Sequence, residues 1–183
     1  LVHSIGGVYH DIEFKPGDPT IMYACAGTEF FRSTNTGDTW TEITSGVPTT
    51  AWRMAIGVTP DASHYVYLFA GPNVGAGGFK GMYRSFDSGL SFELKSDTPN
   101  ILGYSNIGDD SDEQNTYDHC VAISRTDVSG IVTGAINCWK STNYGVSLTC
   151  ISVWDNPPGV NYTHADIHAL EINPLNNWLY CGS

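Results

Sequence analysis

Phe31-Arg-Ser-Thr-Asn-Thr-Gly-Asp-Thr-Trp40 recurs in this chain as Tyr83-Arg-Ser-Phe-Asp-Ser-Gly-Leu-Ser-Phe92 and as Trp139-Lys-Ser-Thr-Asn-Tyr-Gly-Val-Ser-Leu148. The shared order is aromatic, basic, Ser, any, Asn or Asp, any, Gly, any, Ser or Thr, large apolar. Its serines, Ser33, Ser85 and Ser141, lie 52 and 56 residues apart, and self-similarity at such a period sets the architecture. Each copy has the chemistry of a β-hairpin tip. The Ser hydroxyl and the side chain of Asn35, Asp87 or Asn143 can bond backbone groups inside the turn. Gly37, Gly89 and Gly145 suit a position of positive φ. Trp40, Phe92 and Leu148 re-enter a strand and can pack beneath the tip.

Around each tip the pattern is that of four short strands. In the first repeat His10-Asp-Ile-Glu-Phe14 alternates, Lys15-Pro-Gly-Asp-Pro19 is a turn by composition, and Ile21-Met-Tyr-Ala-Cys-Ala26 is an apolar run suited to burial on both faces. Residues 29–32 and 39–43 flank the repeated turn. The second repeat reads 52–58, 64–70, 82–84 and 91–94, and the third 117–124, 130–136, 138–140 and 147–153. A fourth opens at 165–172 and 178–181. The expected fold is therefore all-β, a β-propeller of four-stranded antiparallel blades with about three and a half blades present. The expected blades are 1–49, 50–98, 115–155 and the start of a fourth at 162–183, with an insertion at 99–114. An unclosed ring implies a piece of a longer protein, or completion by another chain.

Composition narrows the class. The 183 residues are 41% hydrophobic with a formal charge of −11. That charge argues against nucleic acid, whose phosphates call for clustered Lys and Arg. No apolar run approaches the ~18 residues of a membrane helix. The chain does not begin with Met and shows no basic-then-apolar leader, so a signal peptide is expected to be removed or to lie outside it. The five cysteines contain no C-x-x-C pair. Cys138 and Cys150 flank the third turn nearly opposite each other, which allows a local disulfide; the alternative is five small buried thiols.

Blade order separates two faces. Three long stretches, 71–81, 95–116 and 154–164, fall on the face opposite the repeated turns, and long loops in compact domains tend to carry function. The innermost strands begin at that face, with His10 and Asp11, Trp52 and Arg53, Tyr117 and Asp118, and His164 and Asp166. A mouth ringed by carboxylates, imidazoles, Arg and aromatics can bind a glycan or protein, or hold carboxylates for acid/base work. The alternative is a set of groups that satisfy one another around a water-filled channel. His164-x-Asp166-x-His168 would share one strand face, where it would either ligate a metal or form a hydrogen-bonded strand start. Asp109, Asp110 and Asp112 offer oxygen ligands suited to calcium, or a solvated loop.

The repeated turn resembles the Asp-box of sialidase- and glycosidase-type propellers, with Asn replacing Asp in two copies and Leu closing the third. That resemblance makes the box a structural staple away from the binding face. Ile5-Gly-Gly-Val-Tyr-His-Asp-Ile-Glu-Phe-Lys-Pro-Gly-Asp-Pro19, Gln114-Asn-Thr-Tyr-Asp118, Asn137-Cys-Trp-Lys-Ser-Thr-Asn143 and Tyr162-Thr-His-Ala-Asp-Ile-His-Ala-Leu-Glu-Ile-Asn-Pro174 are similar to secreted propellers of Bacteroidetes-type bacteria exported by the type IX system. This implies a bacterial extracellular or cell-surface location. The wider superfamily includes sortilin-type receptors, photosystem assembly factors and xyloglucanase-like hydrolases, so the resemblance leaves function open. Sialidase chemistry needs an Arg cluster, and Arg32 and Arg84 occupy equivalent turn positions, leaving Arg53 and Arg125. A xyloglucanase-like enzyme would use two carboxyl groups about 6.5–9.5 Å apart if inverting, with Asp11, Asp118 and Asp166 as candidates. Cys25-Ala-Gly-Thr-Glu-Phe30 lacks the Asp that such enzymes carry in the first blade. The first expectation is a binding module at the long-loop face, using His10, Trp52, Arg53, Tyr117, His164 and His168; the second is part of a glycoside hydrolase.

Overall fold

The computed structural model describes residues 8–73 and 75–183. The expectations that touch residues 1–7 and Val74 lie outside the described residues. Among the described residues every element is a strand. β1 (Asp11–Phe14), β2 (Met22–Ala26), β3 (Glu29–Ser33) and β4 (Thr41–Ile43) form the first sheet, in that order. The second sheet is β5 (Arg53–Val58), β6 (Val66–Gly71), β7 (Gly81–Ser85) and β8 (Glu93–Ser96). The third contains β9 (Cys120–Ile123), β10 (Ile131–Gly134), β11 (Cys138–Ser141) and β12 (Thr149–Val153), and β14 (Ala169–Ile172) and β15 (Leu179–Gly182) form a hairpin. A short strand unforeseen in the sequence, β13 (Asn161–Tyr162), runs parallel to β12 with Ser152 opposite Asn161. These sheets are the blades of an unclosed β-propeller.

The inner strands β1, β5, β9 and β14 pack side by side and surround the channel. Apolar faces of neighbouring blades meet in three cores. Tyr23, Cys25 and Phe30 pack against Met54, Val66 and Leu68 between the first and second blades. Tyr67, Phe69 and Met82 meet Ile131, Trp139 and Leu148 between the second and third. Cys138, Ile167 and Leu170 form the smaller third core. Because successive side chains of a strand point to opposite faces, the other face of β1 has no neighbour among the described residues, and Ile12 and Phe14 are half exposed.

The three repeated turns share one hydrogen-bond scheme. Ser33 Oγ, Ser85 Oγ and Ser141 Oγ donate to the carboxyl or amide oxygen of Asn35, Asp87 and Asn143, and accept from Gly37, Gly89 and Gly145 N–H. That same oxygen accepts the N–H of Thr39, Ser91 or Ser147. Thr36, Ser88 and Tyr144 also have positive φ, near 60°. Their N–H groups donate to Thr20, His64 and Ser129 carbonyls, tying each tip to its blade's first turn. Arg32 donates to Ser88 O in the next blade, while Arg84 pairs with Glu93 and lies 5.5 Å and 5.2 Å from the Tyr65 and Tyr144 ring centres. Phe92 and Leu148 are buried beneath their tips.

All five cysteines are free, Cys181 exposed and the others buried or half-buried, so of the two alternatives left open the structure shows no Cys138–Cys150 bridge. A register shift between Cys138 and Trp139 sets Cys138 opposite Ser152 and Trp139 opposite Cys150. The two thiols therefore leave the blade on different faces: Cys138 belongs to the third core, whereas Cys150 packs on the second.

Candidate functional site

The three long loops meet at one end of the channel. Gly75 N–H donates to Glu113, Phe79 N–H to Asn100 Oδ1, and Asn115 Nδ2 to Pro72 O. Asn137 Nδ2 donates to Gly103 and Tyr104 carbonyls, and Trp154 N–H returns a bond to Asn137 Oδ1. Segment 99–114 is anchored by Ile101 and Leu102, both fully buried in the second core. Asp110 and Asp109 serve this loop: Asp110 accepts from Asn100 Nδ2 and Ser105 N–H, Asp109 accepts from Ser105 Oγ, and Asp112 offers its backbone carbonyl to Asn100.

Arg53, at the start of β5, extends across the mouth and donates through Nη1 to the carbonyls of Asn115 and Thr116. Two bonds to backbone fix this cation without neutralising it. Arg53, Trp52, His10, Tyr9 and Thr116 line a cavity of about 250 Å³. Trp52 is 49% exposed. Burial, followed by the Arg53 charge, holds the His10 imidazole below its ordinary pKa. Tyr117 is 63% exposed, and its ring meets that of His168 edge-on at 4.7 Å.

Behind this surface lies a set of buried polar atoms without protein partners among the described residues: both carboxyl oxygens of Asp118, Asn115 Oδ1, and Nδ1 of His10 and His119. Asp118 is fully buried. Burial, reinforced by the charges of Asp166 and Glu113 and opposed by Arg53, pushes its pKa up to about 7. His119 stacks on the Phe69 ring at 4.0 Å, and its Nε2 lies 2.8 Å from Phe69 O. A carbonyl can only accept, so Nε2 carries the proton. Burial lowers the His119 pKa to about 3 and keeps the ring neutral, so Nδ1 presents a lone pair.

Asp11 does something different from its neighbours. One carboxyl oxygen accepts from Ile12 N–H and the other from Ile56 N–H at 2.7 Å, which bridges β1 to β5. Burial raises its pKa against those two bonds. Two residues further along β1, Glu13 shares the Asp11 face. Burial, then the charges of Asp11 and Glu171, push Glu13 up to about 7. Asp11, Glu13 and Glu171 line a channel cavity of about 220 Å³ together with Arg53 and His168.

The innermost segments of the third and fourth blades differ from expectation. β9 begins at Cys120, because Tyr117 and Asp118 N–H both bond Gln114 O in a tight turn. β14 begins at Ala169, so His164, Asp166 and His168 precede it rather than alternating along one strand face. Asp166 has φ near 64°, Ile167 N–H bonds Ala135 O, and His164 Nδ1 turns back to Ala165 O. Among the described residues no group of three or more His, Cys, Asp or Glu is placed to hold a metal ion. The mouth thus collects His10, Trp52, Arg53, Tyr117, Asp118 and His168. Sequence reasoning missed Asn115, His119 and Glu13. Glu13 was accessible from strand alternation with Asp11; Asn115 depends on a close approach at Gly71, where a Cβ would stand 2.6 Å from its Cγ.

No family model matches the chain, and no curated protein matches it. Among solved structures, YCF48 from Cyanidioschyzon merolae is 15% identical, with a TM-score of 0.57, over 91% of this chain and 47% of that one. The GH74 enzyme of Niastella koreensis is 19% identical, with a TM-score of 0.63, over 94% of this chain and 25% of that one. YCF48 bound to D1 peptide is 10% identical, with a TM-score of 0.59, over 92% of this chain and 46% of that one. These likenesses establish the propeller fold, and the chain spans about half or less of each neighbour's length.

Proposed function

We propose that this chain is part of a secreted or cell-surface propeller that binds a glycan or a peptide segment at the long-loop mouth of its channel. The observation that carries the reading is Arg53, pinned by two backbone carbonyls in a cavity it shares with an exposed Trp52. An aromatic face suits the apolar side of a sugar ring or a peptide side chain, and a fixed guanidinium donates to hydroxyl, carbonyl or carboxylate oxygens. Tyr117 and His168 extend the same surface. The two neighbour classes lend support in kind, one being a peptide-bound YCF48 and the other a GH74 enzyme. The repeated turns are read as degenerate Asp-boxes, and export by the type IX route goes with the bacterial extracellular assignment. The parent protein's retention on a panel of β-glucans, xyloglucan, host glycans and immobilised peptides tests the reading. Trp52→Ala or Tyr117→Ala should weaken retention about tenfold, which is ~1.4 kcal/mol. Unchanged retention in both variants would overturn it.

A second reading, part of a glycoside hydrolase, is favoured by one observation. Burial, with the Asp166 charge adding to it, pushes the Asp118 carboxyl up to about 7, the range a general acid beside a second carboxylate would need. Against it, the Asp118 carboxyl is sealed from solvent, and Asp11 is spent on backbone bonds. Asp118→Asn and Asp166→Asn would abolish turnover under this reading.

A further inference from the structure

The face of the third blade that meets the β14–β15 hairpin carries an unassigned thiol chemistry. Register places Cys120 and Cys138 both opposite Gly134, so the two side chains lie in one row across β9, β10 and β11. That row faces the hairpin: a Cβ on Gly134 would stand 2.5 Å from Ile167 Cγ2 and 2.9 Å from Cys120 Sγ. On the hairpin, Cys181 pairs with Leu170, and directly opposed residues of an antiparallel pair project to the same face. Leu170 packs with Cys138 in the third core, so Cys181 is aimed at the same blade. Burial first, and then the neighbouring Cys181 thiol, push the Cys138 thiol up to about 12. Cys120 is engaged elsewhere, its sulfur near the carbonyls of Gly134 and Ile167 at 3.6 Å and 3.5 Å. Cys150 lies on the opposite face.

We propose that Cys138 and Cys181 form a disulfide that ties the third blade to the β14–β15 hairpin. The oxidant is a disulfide, either a small one such as oxidised glutathione or that of a thiol oxidoreductase. The two protein thiols differ in access, and this sets the order. Cys181 is exposed and Cys138 is buried, so Cys181 loses its proton and attacks one sulfur of the oxidant. That breaks the oxidant's S–S bond, releases one thiolate and leaves a mixed disulfide on Cys181. Cys138 then gives up its proton and displaces the second thiolate. Two protein thiols are oxidised, one disulfide is reduced to two thiols, and the two protons end on the released thiolates.

The test is exposure of the native parent protein to oxidised glutathione, alkylation of free thiols, and peptide mapping by mass spectrometry. The expected product is a Cys138–Cys181 linked peptide, formed equally in Cys150→Ser and absent in Cys181→Ser. In Cys138→Ala the Cys181–glutathione adduct should accumulate. Hydrogen exchange on the oxidised wild type should show slower amides in 169–182 than on the reduced protein, a readout that needs no substitution. A Cys120–Cys181 or Cys138–Cys150 link would overturn the proposal. So would a wild type that stops at the Cys181 adduct with Cys138 still alkylatable.

Discussion

At the scale of single residues, two kinds of polar side chain divide the labour. The turn residues satisfy backbone, and the mouth residues do not satisfy each other. Ser85 is fully buried, and its hydroxyl serves both Asp87 and Gly89. Ser85→Ala should cost about 1–3 kcal/mol in urea unfolding, whereas Thr34→Ala, exposed in the first turn, should stay within ~0.5 kcal/mol. Asp118 behaves in the opposite sense. Its carboxyl pKa rises from 3.8 unfolded to about 7 folded, so the folded chain binds the extra proton between those values and stability falls as pH rises through that window. The shift, at ~1.4 kcal/mol per unit, caps the penalty above pH 7 at about 4 kcal/mol. Asp118→Asn should therefore match wild type near pH 4 and gain on it steadily up to about pH 7, followed by denaturant melts across the range. A gap that does not change with pH would mean that the carboxyl is already ionised in the fold.

At the scale of elements, the repeat gave away what local chemistry controls and hid what neighbouring blades control. Ser, Asx and Gly at fixed offsets can satisfy a turn by themselves, so the three tips were legible. The register shift at Cys138 was not, because it arises from pairing between β11 and β12 rather than from either strand's sequence. The late start of β14 was hidden for the same reason: Ile167 N–H is drawn to Ala135 O in the preceding, third blade, leaving Asp166 in a left-handed conformation. That Asp11 bonds backbone could not be read from the sequence, because its partner, Ile56 N–H, lies one blade away. Asp11→Ala would strand that N–H between inner strands and should cost about 1–3 kcal/mol. The junction of the first two blades gives a sharper comparison. Phe92 N–H bonds Ser45 O, and a Cβ on Gly46, at φ 72°, would stand 1.8 Å from Phe92 O. Gly46→Ala should lose at least ~2 kcal/mol, against roughly 1 kcal/mol for Gly17→Ala, which has positive φ but open space. Thermal melts of the pair would separate backbone strain from the steric clash.

At the scale of the molecule, three inter-blade cores hold the blades at a fixed angle around the channel, and the long loops pin one another at one end. The charge balance of that end matters for function. A fixed guanidinium stands over a channel lined by Asp11, Glu13 and Glu171, and burial, which raises the Asp11 and Glu13 carboxyls and lowers the His10 and His119 imidazoles, favours the neutral forms of those groups beside it. Such a mouth is prepared to accept polar oxygens from a ligand, and the exposed Trp52 and Tyr117 supply the apolar contact. The measurement that tests this most directly is retention and product release by the parent protein on one panel of glycans and peptides, run for wild type, Trp52→Ala and Asp118→Asn. The account predicts retention of one ligand without chain cleavage, weakened about tenfold by Trp52→Ala and left largely intact by Asp118→Asn. Release of reducing ends that vanishes in Asp118→Asn would contradict it and make the mouth a hydrolytic site.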